Sequence, residues 1–97
     1  MAEFSFVAEV IHWRGPAPYY FARLPEEVSV KVAEMAKSVS YGWGVIPIEA
    51  AIGDVGFRTS LFPKDRGYLL PLKDAVRKRI EIPENGVIEV VMVVGPS

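Results

Sequence analysis

Apolar residues in this chain recur at every second position in short runs, and each run is stopped by glycine or proline. The last run is the clearest: from Val87 to Val94, the side chains of Ile88, Val90, Met92 and Val94 fall on one face. Phe4 to Trp13 repeats the pattern, with Phe4, Phe6, Ala8 and Val10 on one face and Ser5, Val7, Glu9 and Ile11 on the other. That second face is only half polar, as expected of a strand packed partly on both sides. Tyr19 to Leu24 reads as a short second strand. Val45 to Ile52 and Val55 to Phe62 read as the arms of a hairpin around Gly53-Asp54. Pro63 is expected to end the second arm, since proline cannot donate to a ladder. Tyr68 to Leu70 makes a very short strand after the Lys64-Asp65-Arg66-Gly67 turn. Six short strands in an open sheet would leave two apolar edges free to pair with other chains. Closure into a small barrel removes both edges.

Two helices complete the expectation. Pro25 opens the first, with Glu26 and Glu27 at the positive end of its dipole. Val28, Val32, Met35, Ala36 and Val39 form its apolar stripe, and Gly42 or Gly44 is the expected stop. The second runs from about Pro71 to Ile80, with Leu72, Val76 and Ile80 inward and an Asp74–Lys78 pair facing solvent. Arg14 to Pro18 and Pro83 to Gly86 are turns. The fold class is therefore mainly β: a closed barrel of six strands with two short helices, spanning residues 1–97 as one domain.

With 51% apolar residues, the core needs no staple, and the lack of cysteine excludes disulfide scaffolds, thiolate metal sites and cysteine nucleophiles. No basic and then apolar leader precedes the first strand, so a cytoplasmic protein is expected. The longest apolar run, Val90 to Val94, is far below the ~18 residues that suggest a spanning helix, so no membrane partner is expected.

Charge is unevenly spread. Between Phe57 and Arg79 lie Arg58, Lys64, Arg66, Lys73, Arg77, Lys78 and Arg79, against only Asp65 and Asp74. That segment is strongly positive in a chain whose net charge is −1. Such segregation can present an attractive field to an anion. A pI near 5.8 argues against a general nucleic-acid coat.

Several segments together resemble one family. They are the aromatic-rich opening strand, Leu24-Pro25-Glu26, Gly44-Val45-Ile46-Pro47 and Phe57-Arg58-Thr59-Ser60-Leu61-Phe62-Pro63. Gly67-Tyr68-Leu69-Leu70-Pro71-Leu72-Lys73 and Ala75-Val76-Arg77-Lys78 follow in the same order. The chain resembles domain-of-unknown-function family 1905, and the resemblance spans nearly its whole length. It implies a small barrel of the double-split kind with helices over its openings. That class also holds swapped-hairpin regulators that bind DNA as dimers, so nucleic acid enters as an alternative partner. Some relatives carry a second domain associated with bacteriocin protection, and none is expected in this length. The family usually places Gly-Asp before the final strand, whereas here Val87 follows Gly86. The resemblance supplies a fold and no reaction.

Catalytic chemistry finds little support in the residues. His12 is the single histidine, and no nucleophile-elbow glycines surround Ser60, so a triad has no basis. Glu26 with Glu27 is explained by the helix dipole, and Glu49 with Asp54 lies on a strand and its turn. Phosphate-binding glycine loops are absent. No catalytic residue, metal or cofactor is assigned.

The basic segment supplies the candidate site. Arg58 and Ser60 share one strand face while Thr59 points to the other, Arg66 follows in a turn, and Lys73 and Arg77 belong to the second helix. Arginine offers a planar fork for carboxylate or phosphate. Arg58, Ser60, Arg66, Lys73 and Arg77 are thus the expected ligand-binding residues, against the plainer reading of separate surface pairs. Trp13, Tyr19, Tyr20, Trp43, Phe57 and Tyr68 could form a stacking platform, against the plainer reading of core and plug. The first expectation is a binding module with a basic cleft for a small anionic ligand or acidic protein surface, as monomer or homodimer. The alternatives are a nucleic-acid-binding barrel and an enzyme acting on a small anionic substrate.

Overall fold

Six strands close into an antiparallel barrel in the order β1-β2-β5-β4-β3-β6. They are β1 (Ala2–Trp13), β2 (Tyr19–Arg23), β3 (Ile46–Ile52), β4 (Val55–Lys64), β5 (Gly67–Leu72) and β6 (Val87–Val94). Two helices accompany them, α1 (Glu26–Val39) and α2 (Asp74–Arg77). The computed structural model describes residues 2–13, 19–39, 45–83 and 85–95, the side chains of 37–39 excepted. The mainly β class and the closed barrel are as the alternation of apolar residues implies. The expected Arg14–Pro18 turn, the stop at Gly42 or Gly44 and the aromatic Trp43 lie outside the described residues.

Alternation decides which residues fill the barrel. Ala8, Ile48, Leu61, Val90 and Met92 are all essentially inaccessible, each the inward member of its strand. Closure is continuous, because β1 pairs with β6 from Ala2↔Val94 to Glu9↔Val87 and with β2 from Glu9↔Arg23 to Trp13↔Tyr19. No strand is left with a free flank along that circuit.

Helix α1 lies over β3 and β5 and buries Val28 and Val32, with Met35 and Ala36 packed against the same core. Pro25 stands at its cap, where its carbonyl accepts the Ser29 N–H at 2.9 Å. Ser29 is buried within the stripe, and its Oγ accepts the Tyr68 N–H at 3.2 Å. Five residues earlier in the chain, the Leu24 N–H donates to the Tyr68 carbonyl at 3.2 Å. Both backbone groups of Tyr68 are thereby satisfied by the β2–α1 segment, and β5 is tied to the helix.

Two hairpins use different turns. Gly53 alone has positive φ, +59°, between Ile52 and Val55, as a type II′ turn requires. Between Lys64 and Gly67 the φ values are 51° at Asp65 and 65° at Arg66, so both central residues are left-handed without being glycine.

Three expectations need correction. Pro63 does not end β4 but pairs with Tyr68. Lys64 and Gly67 close the two-residue turn, so the alternation of the ladder points position 63's missing N–H away from β5. Pairing with β3 has already ended at Leu61, so that proline removes no ladder bond. The second helix does not begin near Pro71, because Pro71 and Leu72 pair with Phe21 and Tyr20 and extend β5. It is a single turn, Asp74–Arg77, and Asp74 therefore pairs with Arg77 instead of Lys78.

Candidate functional site

The five expected ligand residues fall in three places. Arg58 and Ser60 stand on the outer wall of β4, where Arg58 reaches Glu49 on β3 at 3.5 Å. Both partners of that pair are well exposed, so it contributes little to stability. Arg66 is exposed in the β4–β5 turn. Lys73 and Arg77 sit at the two ends of α2.

Arg77 has structural work to do there. Its Nε–H donates to the Leu72 carbonyl at 3.2 Å, and its guanidinium pairs with Asp74. The guanidinium carbon also lies 4.1 Å from the centre of the Tyr20 ring. Tyr20 in turn stacks on His12 at 4.2 Å with rings nearly parallel. His12, Tyr20 and Arg77 thus form a layered end to the barrel.

A different group converges on one hollow. The outer faces of β1, β2, β5 and β4 line a cleft of about 340 Å³. Strand β1 contributes Ile11 and Trp13, and β2 contributes Tyr19, Phe21 and Arg23. Strand β5 adds Leu69, and β4 adds Phe62 and Lys64. The register explains the grouping: Ile11 pairs with Phe21, Trp13 with Tyr19, Arg23 with Leu69, and Leu69 with Phe62, so all point to one side.

The aromatic rings are mutually ordered. Tyr19 and Phe21 lie 5.9 Å apart at 21°, and Phe21 meets Phe62 edge-on at 5.2 Å. Trp13 and Tyr19 remain about half exposed, at 52% and 49%. Isolated exposed apolar residues need no explanation, but a contiguous aromatic set outside a barrel does.

Lys64 closes the cleft. By register it stands opposite Gly67 at one corner of the four strands, while Trp13 stands opposite Tyr19 at the far diagonal. Yet the Lys64 ammonium lies 4.7 Å from the centre of the Trp13 ring. A twisted sheet is saddle-shaped, so on each face one diagonal curls inward. Here that diagonal joins Trp13 to Lys64.

Electrostatics set this hollow apart from larger ones. Arg23 and Lys64 are its charged lining, and neither makes an ion pair among the described residues. A hollow of about 620 Å³ beside α2 and β6 is lined by Asp54, Arg79, Glu81 and Glu89, three acids to one base. Another of about 540 Å³ is lined by Glu3, Glu27 and Lys31. An anion is repelled by the first and unaided by the second.

Sequence reasoning singled out Trp13 and Tyr19 but missed Ile11, Phe21, Arg23, Phe62, Lys64 and Leu69 as a group. Of the remaining aromatics with described positions, Phe57 and Tyr68 pack against the core and Tyr20 belongs to the barrel end. The available signal was alternation itself. Ile11 and Trp13 continue the odd face of β1, and Tyr19, Phe21 and Arg23 share one face of β2, where solvent calls for polar side chains.

The sequence places the chain in a family. The model of DUF1905, a domain of unknown function, matches residues 6–92, and the chain belongs to that family. No curated protein and no solved structure matches the chain. Among the described residues, no helix is long and apolar enough to cross a membrane.

Proposed function

We propose that this protein is a binding module whose site is the aromatic cleft on the outer wall of β1, β2, β5 and β4. The ligand carries a flat apolar group and a negative charge. One observation carries the reading: ordered aromatic side chains and two cations, Arg23 and Lys64, line the same concave surface, and among the described residues neither cation makes an ion pair and no acid joins the lining. The anion-binding role expected of Arg58 and Arg77 passes to Arg23 and Lys64, since Arg58 and Arg77 are engaged with Glu49 and Asp74.

A dye of matching chemistry tests it. Anilinonaphthalene sulfonate carries a flat, apolar naphthalene ring system and a sulfonate anion. The native protein is expected to bind about one equivalent, with binding weakened by Trp13→Ala and by Lys64→Ala and unchanged by Arg58→Ala. Circular dichroism melts of each variant confirm that the fold is kept. Dye binding that ignores both cleft substitutions would end this reading.

A further inference from the structure

Resting on that reading of the cleft, we infer that its ligand is a mononucleotide: a single heteroaromatic base bearing a phosphate. Three features of the lining separate this class from other apolar anions.

The first is the shape of the apolar surface. Trp13 and Tyr19 expose about half of their area side by side, and Tyr19 stacks beside Phe21 with the ring planes 21° apart. An alkyl chain gains as much from leucine or valine as from aromatic rings. A planar base gains from stacking, which every base can do and which exposed ring faces reward.

The second is the position of the lysine. Its ammonium already occupies a ring face of Trp13, 4.7 Å from the centre. A base entering over the indole displaces the ammonium, and the four-carbon stem lets that charge swing to the phosphate of the same ligand. Ring and anion are then both needed: a ring without phosphate strands the lysine, and a phosphate without a ring leaves the indole uncovered.

The third is the number and kind of charges. Arg23 faces the cleft, makes no ion pair among the described residues although Glu9 stands opposite it on β1, and offers a planar fork. A phosphate monoester, close to doubly charged at neutral pH, engages both Arg23 and Lys64, whereas a single carboxylate satisfies one. A hollow of about 340 Å³ suits one small ligand. Two cations, with Glu9 paired in register beside Arg23, do not make the extended basic track that a polynucleotide follows.

Calorimetric titration of the unaltered chain at low salt tests the inference, with adenosine monophosphate, adenosine, inorganic phosphate, an eight-nucleotide oligoadenylate and the naphthalene sulfonate dye as separate probes. The monophosphate is expected to bind at least about tenfold more tightly than adenosine or phosphate, a difference of about 1.4 kcal/mol. Lys64→Met, which keeps the stem and removes the charge, is expected to weaken the monophosphate about fivefold and not to weaken adenosine. Lys64→Arg is expected to restore most of the loss. Equal binding of adenosine and its monophosphate, or equal weakening of both by Lys64→Met, overturns the inference. Dye binding with no monophosphate binding overturns the nucleotide class while the cleft stands as a site. Silence from both removes the cleft itself. Oligoadenylate binding without monophosphate binding assigns the cleft to single strands and overturns the mononucleotide.

Discussion

Lys64 and Trp13 stand at opposite corners of a four-stranded face, yet the ammonium of one lies 4.7 Å from the ring centre of the other. The contact is a consequence of twist, and it turns the outside of a barrel into a concave surface. It also sets a cation over an aromatic ring that is about half exposed.

The contact is exposed, so it should shape the cleft more than it stabilises the fold. Lys64→Met is expected to lower stability by less than about 1 kcal/mol, the range of exposed cation–π pairs. Denaturant unfolding reads this directly, and a loss several times larger would mean that Lys64 holds the hairpin in place.

Ser29 presents the opposite case. Its Oγ is buried and receives the Tyr68 N–H. Ser29→Ala leaves that donor without a partner, and a cost of about 1–3 kcal/mol is expected. Hydrogen exchange at the Tyr68 amide should accelerate in the same variant. Wild-type stability and exchange in Ser29→Ala would show that the helix-to-β5 tie is dispensable.

Arg77→Ala is expected to destabilise by about 1–2 kcal/mol through loss of the Tyr20 contact and of the bond to the Leu72 carbonyl. The Asp74 pair is left out of that figure because the aspartate is exposed. Anion binding in the cleft should be unaffected, which separates a structural arginine from a ligand arginine. Calorimetry with the dye alongside a thermal melt decides between them.

The β4–β5 turn holds two non-glycine residues at positive φ, and Arg66 lacks the short polar side chain that eases this conformation. Arg66→Gly is expected to raise stability by about 1 kcal/mol, seen as a melting temperature a few degrees higher. A lower melting temperature would mean that the arginine side chain contributes more than its backbone strain costs.

Leu61 is wholly buried at the centre of β4. Leu61→Ala is expected to cost about 2–5 kcal/mol, a large part of the stability of a domain this size. A loss under 1 kcal/mol, by denaturant unfolding, would contradict the packed interior.

Much of the architecture was legible because period-two alternation is a local signal. Ile88, Val90, Met92 and Val94 needed no tertiary information to be placed inward, and the Gly53 turn announced itself. Pro63 and Pro71 misled because their role depends on which ladder bond a neighbour would have required, and that is a matter of pairing. The site was harder. Arg58 and Arg77 are close in sequence to other cations, but a strand wall and a barrel end separate them. Arg23 and Lys64 are far apart in sequence and meet through β5, whose pairing with both β2 and β4 no local pattern declares.

Backbone amide shifts recorded while the naphthalene sulfonate dye is titrated test the central claim most directly. The account predicts shifts confined to residues 11–13, 19–23, 62–64 and 69, the strand segments that line the cleft. Shifts centred on Arg58 or Arg77, with the cleft silent, would contradict it.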